Sequence, residues 1–115
     1  MIKDSGERTE FSSGAVRDMH EGKGDMISIP WEAILRLSKH YEDGAKKYDE
    51  RNWEKGIQLH CYIDSGVRHY IKYCRGDVDE PHDRAFLWNM LGALWTQKNK
   101  PELIDLPFGK EGEEQ

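Results

Sequence analysis

Apolar residues recur at three- and four-residue steps in two stretches of this chain and crowd a third, and each stretch is bounded by helix punctuation. Ile34, Leu37, Tyr41, Ala45 and Tyr48 fall on one stripe, with Arg36, Lys39, Asp43 and Lys47 on the outer face. Pro30 is tolerated in a first helical turn and Glu32 suits the positive end of the helix dipole, so the pattern predicts a helix over 30–48. Ile63, Val67, Tyr70, Ile71 and Cys74 form a second stripe, and Gly76 is a C-terminal stop, which predicts a helix over 59–75. From Ala85 to Trp95 the chain is apolar almost all round except for Asn89. A helix over 81–98, stopped by Pro101, is therefore expected to be the central and most buried one.

The remaining segments lack such periods. Residues 1–24 are polar and glycine-containing and read as an irregular, flexible arm. Gly14 to Lys23 does not match a phosphate loop, because the spacing is wrong and Gly24 replaces the hydroxyl residue. Asp49 to Gln58 is a loop closed by Gly56, and Leu103, Ile104, Leu106 and Phe108 are expected to dock as an extended strap before a disordered tail over 109–115. The fold expected is all-α: a small bundle of three to four helices over 25–108, with an arm before it and a strap at its end.

A length of 115 residues allows one domain with one core. Hydrophobic residues make up 37% and charged residues 34%, as in a small helical protein with a modest core. The third helix carries more apolar surface than two short partners can cover, so a homodimer or homotetramer is expected. A net charge of −5, with lysines alternating with acids, argues against a nucleic-acid polymer as partner. No run of about 18 apolar residues occurs, and the start lacks a hydrophobic signal region. A cytoplasmic protein with no membrane partner is the expectation. Cys61 and Cys74 are separated by roughly 20 Å of helix rise and cannot pair within one helix. They are expected to be buried thiols.

Charge changes the picture most between His40 and Gly56, where Lys47, Arg51, Asn52 and Trp53 cluster with several acids at a helix end, as a polyanion site requires. Asp64 and Arg68 are i,i+4 neighbours, readable either as a local salt bridge or as a site pair. Glu80 and Asp83 form a Glu-x-x-Asp pair aligned with Leu87, Leu91 and Leu94, with Asp77 and Asp79 beside them. Carboxylates turned towards a helix interface need a cation, and an all-oxygen set suits Mg²⁺ or Mn²⁺, with Asp64 as a possible third ligand. The same acids lie at a helix N-terminus, where they cap free amides without any metal. Asn89 needs partners if buried, and His82 precedes it by two turns on the same face; it either binds a ligand or joins helices.

Taken together, Ser13-Gly-Ala-Val-Arg-Asp18, Gly22-Lys23, Gly44-Ala45-x-Lys47-Tyr48, Arg51-Asn-Trp-Glu-Lys-Gly56, Asp64-Ser65, Arg68-His69 and Asp79-Glu80-x-His82 with Trp88-Asn89 resemble a phage-encoded family. That family is the dATP/dGTP diphosphohydrolases, MazZ-like relatives of the all-α MazG nucleotide pyrophosphohydrolases. The resemblance covers about Phe11 to Trp95, and the Arg-Asn-Trp-Glu-Lys-Gly string and the Arg-His pair are its specific parts. It implies an α-helical oligomer that cleaves a deoxypurine triphosphate to monophosphate and pyrophosphate with a divalent metal. On this reading Glu80, Asp83 and Arg68 are expected as catalytic groups, Asp64, Glu80 and Asp83 as metal ligands, and Lys47, Arg51, Asn52, Trp53, His69, His82 and Asn89 as substrate contacts. Trp53 or Trp88 would stack on the base.

The chain departs from the MazG pattern in lacking any Glu-Glu-x-x-Glu helix. The missing ligands would come from Glu42, Glu54, Asp64 or a neighbouring subunit. Two other functions compete. His69, His82-Asp83 and Asp105 suggest an HD-type phosphohydrolase, which a retained transition metal would favour. An incomplete ligand set also suits a non-catalytic protein that sequesters nucleotide or binds a host factor, which pyrophosphate release from dGTP would exclude.

Overall fold

A computed structural model describes residues 8–18 and 21–111, in two compact units, Met1–Pro30 and Trp31–Gln115. Within the segment expected to be an irregular arm, the described residues include a short hairpin. Strands β1 (Arg8–Glu10) and β2 (Val16–Asp18) pair antiparallel, with Arg8 opposite Asp18 and Glu10 opposite Val16. The connecting turn is closed by the Phe11 and Gly14 amides, which donate to the Ala15 and Phe11 carbonyls at 2.8 Å. Gly14 adopts φ 90°, a conformation that favours glycine. Asp18 holds Lys23 at 2.9 Å, and Asp25 caps a 3-10 turn at Met26–Ser28. Met19 and His20 and the tail beyond 111 lie outside the described residues, so the expected disorder of the tail falls largely outside them too.

The second unit contains α1 (Trp31–Lys47), α2 (Leu59–Cys74) and α3 (His82–Asn99), with 3-10 turns at Asn52–Lys55 and Pro101–Leu103. The helix bounds follow the punctuation closely. Gly76, at φ 83°, ends α2: its amide donates to the Tyr73 carbonyl and the Asp77 amide reaches back to Lys72, each at 3.0 Å. This Schellman arrangement satisfies carbonyls that the helix end would leave open.

Which faces are buried differs from the sequence pattern. α2 buries Leu59, Tyr62 and Gly66, while Val67, Tyr70 and Ile71 of the expected stripe are exposed. α3 buries His82, Ala85, Asn89, Gly92, Ala93 and Thr96, and leaves Leu87, Met90, Leu91 and Leu94 outside. The reason is size. Ala85, Gly92 and Ala93 present a low ridge on which α2 packs closely, with Tyr62 lying across Gly92. Leu59, Tyr62 and Ala93 form the core, flanked by Ile57, Ile63, Ile104 and Leu106. Ile104 and Leu106 dock as the strap predicts, but Phe108 is exposed. Both cysteines are exposed, not buried as expected, because each sits at an end of α2 outside the α3 contact.

A Cβ on Gly92 would fall 2.3 Å from the Tyr62 ring. Gly92→Ala gains about 1 kcal/mol of helix propensity but overpacks a buried ring, which costs about 1–3 kcal/mol or more. A net loss of stability in urea unfolding is expected, whereas a gain would mean that the α2–α3 contact is looser than described.

Candidate functional site

Three tryptophans and two tyrosines line a groove of about 1060 Å³ between α1, the Asn52–Lys55 turn and α3. Tyr41 and Ala45 come from the inner stripe of α1, and Trp88, Leu91, Gly92 and Trp95 from successive turns of α3. Gly56, at φ 103°, reverses the chain after the short turn that carries Trp53. Trp53 meets Trp95 edge-on at 4.9 Å between ring centres, and Tyr41 lies 6.1 Å from Trp88. Such a set offers flat faces for a planar aromatic ligand.

The rim is charged, with Glu42, Lys46, Glu50 and Arg51. Arg51 adopts φ 55°, uncommon for a side-chain-bearing residue, pairs with Glu54 and holds its guanidinium 5.3 Å from the Trp53 ring centre. Tyr62 lies at the base of the groove, 3% exposed, and its hydroxyl has no hydrogen-bond partner among the described residues. Burial, chiefly, pushes that phenol up to about 12. A buried hydroxyl left unpaired costs about 1–3 kcal/mol, which a polar ligand edge would recover.

A second cavity, of about 490 Å³, lies at the turn between α2 and α3 and is lined by Asp77, Asp79, Glu80, His82, Asp83 and Arg84 among others. Asp77, Asp79 and His82 each bring a ligand atom within 4.8 Å of the other two. His82 is 2% exposed; its Nε2 is 2.9 Å from Asp79 Oδ1 and its Nδ1 is 2.9 Å from His69 Nδ1. An ionised Asp79 can only accept, so a neutral His82 carries its proton on Nε2 and accepts from His69. The bond from His82 holds the Asp79 carboxyl below its usual range, while burial and then His82 lower His69. Burial raises Asp83, but the Arg84 amide at 2.7 Å and guanidinium at 3.2 Å outweigh it and leave a net lowering. His40 lies near residues of both cavities without lining either. Its ring lies 6.2 Å from Trp88, and the charges of Asp43, Arg84, Asp83 and Glu80 act on it; burial is the main cause of its lowered pKa.

The residues expected from sequence are thus only partly gathered. Arg51 and Trp53 line the groove with Trp88, and Asn52 lies in the same short turn. Lys47 sits over Tyr48 at 5.2 Å. Glu80, His82 and Asp83 line the acidic cavity, with His69 bonded behind His82. Asp64 and Arg68 pair with each other on the exposed face of α2. Asn89 is buried and donates to the Ala85 carbonyl at 2.8 Å, a bond within its own helix. Of the HD-type set, His69 and His82 are in contact and Asp83 lines the same cavity as His82, whereas Asp105 is held by His60, about 13 Å of helix rise from His69. Sequence reading missed Tyr41, Lys46, Tyr62 and Trp95 as groove residues; the recurrence of Trp88, Leu91 and Trp95 on one helical face was the signal.

The family model described as dATP/dGTP diphosphohydrolase, N-terminal, matches residues 13–106. No curated protein and no solved structure matches the chain. No helix among the described residues is long and apolar enough to cross a membrane.

Proposed function

The chain belongs to the family described as dATP/dGTP diphosphohydrolase, N-terminal, and on that premise we propose that it hydrolyses dATP or dGTP to the monophosphate and pyrophosphate with a divalent metal. The observation that carries this reading is the aromatic groove with an unpaired buried tyrosine hydroxyl at its base and a lysine and an arginine at its rim. The purine lies among Trp53, Trp88 and Trp95, and the Tyr62 hydroxyl pairs with a polar edge of the base. Lys46 and Arg51 attract the triphosphate, with Lys47 and Asn52 close by in sequence. His40 lies near residues of both the groove and the acidic turn.

Asp79 and His82 would hold the metal, with Asp77 completing the cluster and Glu80 and Asp83 lining the same cavity. The donor set fits: a metal can replace the proton shared between His82 Nε2 and Asp79, while His82 Nδ1–H turns to donate to His69 and keeps the ring oriented. Two carboxylates suit Mg²⁺ or Mn²⁺, and the imidazole makes Mn²⁺ the better fit of the two. When bound, such an ion activates water and neutralises charge on the phosphates. Incubation with dGTP and MnCl₂ should release pyrophosphate and dGMP. Tight nucleotide binding without pyrophosphate release would instead favour a sequestering protein.

We place Asp64 and Arg68 on a surface covered by a second copy. They share the exposed side of α2 with Val67 and Ile71, and α3 leaves Leu87 and Met90 open outside the groove. Light scattering should show a dimer or tetramer at micromolar concentration; a monodisperse monomer counts against this arrangement. Arg68 then supplies a planar fork to phosphate oxygens that a lysine cannot reproduce. Arg68→Lys should slow dGTP cleavage at least about tenfold, or roughly 1.4 kcal/mol. A parent-like rate would leave the Asp64–Arg68 pair as a surface salt bridge only.

A further inference from the structure

Cys61, His60 and Asp105 form a hydrogen-bonded relay at the start of α2, remote from the acidic turn at its other end. Asp105, from the strap, accepts the His60 amide at 2.9 Å through one carboxylate oxygen and pairs with His60 Nδ1 through the other. This grip fixes the imidazole: Nδ1 carries the proton towards the carboxylate, and Nε2 is left with its lone pair. That Nε2 lies 3.5 Å from Cys61 Sγ. The bidentate use of Asp105 bridges 45 residues of sequence, so the ring orientation is set by tertiary structure.

Two further features favour attack by the Cys61 sulfur. The residue lies in the first turn of α2, near the positive end of the helix dipole, and it is exposed to solvent. Cys74 is an internal contrast: it is also exposed, but it is the last residue of the same helix, at the negative end of the dipole.

We propose that Cys61 is a reactive thiol activated by the His60–Asp105 pair, and that it forms mixed disulfides with small-molecule disulfides. His60 Nε2 takes the Cys61 thiol proton, and the thiolate sulfur attacks one sulfur of the disulfide. A new S–S bond to Cys61 forms as the original S–S bond breaks, and the departing thiolate recovers the proton from His60. One disulfide is consumed and one is made, so no other oxidant is needed.

Two single-cysteine proteins test this, Cys74→Ser retaining Cys61 and Cys61→Ser retaining Cys74, each treated with dithiobis(nitrobenzoic acid) while the released coloured thiolate is followed. Cys61 should react at least about tenfold faster than Cys74 at neutral pH. Adding His60→Asn to the protein that retains Cys61 should bring its rate down to that of Cys74, and Asp105→Asn should slow it in part. Equal rates for the two cysteines overturn the proposal, as does a His60→Asn variant that stays helical by circular dichroism and reacts unchanged. Should His60→Asn unfold the chain, the comparison of the two parent cysteines decides alone.

Discussion

Leu59→Ala is expected to lower the free energy of unfolding by about 2–5 kcal/mol, the range for truncating a buried leucine. Leu59 is fully buried and stands where the start of α2, the later turns of α3 and the returning strap converge. Its neighbours are Tyr62, Ala93, Ile57, Ile63, Ile104 and Leu106, and one of its methyl carbons would lie 2.6 Å from a Cβ built on Gly109. These neighbours belong to separate elements, each held by other contacts, so they cannot all move inward to fill the void. Against a total stability of about 5–15 kcal/mol, the variant should unfold at a much lower urea midpoint with an unchanged slope. Leu87→Ala, at a position 46% exposed, should alter association more than the unfolding of the chain itself. A Leu59→Ala loss below about 1 kcal/mol, outside the expected range, would move the centre of the core elsewhere.

Asp79→Asn should reduce metal-dependent cleavage of dGTP at least about a hundredfold, or roughly 2.7 kcal/mol of transition-state stabilisation. Asparagine keeps the shape of the side chain, and its carbonyl oxygen can still accept from His82 Nε2, so the buried ring retains a partner. What is lost is the charge that a cation requires next to the imidazole. The Asp79 side chain is 70% exposed, and an exposed ion pair adds little to stability, so the melting temperature should move little. Glu80→Gln and Asp83→Asn measured beside it rank the other carboxylates of the turn. If Asp79→Asn cleaves dGTP at the parent rate and loses stability instead, the turn serves to cap α3 and orient His82, and the metal site must be sought elsewhere.

The ends of the helices were legible because they depend on local chemistry. Pro30, Gly76 and Pro101 act on the backbone next to them, and α1, α2 and α3 begin and end within about two residues of where those signals point. The faces were not legible, because hydrophobicity alone does not say which side of an apolar helix is approached. On α3 both sides are apolar, and the smaller side chains, Gly92 and Ala93, receive Tyr62 and its neighbours, while the leucines face outward. The hairpin escaped because Arg-Thr-Glu and Val-Arg-Asp are too short and polar to show alternation. For the site, Arg51 and Trp53 stood out as a dense polar string, whereas Tyr62 lay off the stripe expected of α2 and Trp95 read as part of a buried helix until the groove beside them was visible. Asp77 and Asp79 could be seen as acids, but their convergence with His82 depends on the turn between helices.

That turn is fastened by the amide of Asp77, which closes the last turn of α2 while its carboxylate belongs to the cluster with Asp79 and His82. Fraying of the end of α2 and loosening of the cluster are therefore one opening event. By linkage, an ion bound at the cluster would slow amide hydrogen exchange at Gly76 and Asp77, and by the same free energy a firmer α2 terminus would tighten the hold on that ion.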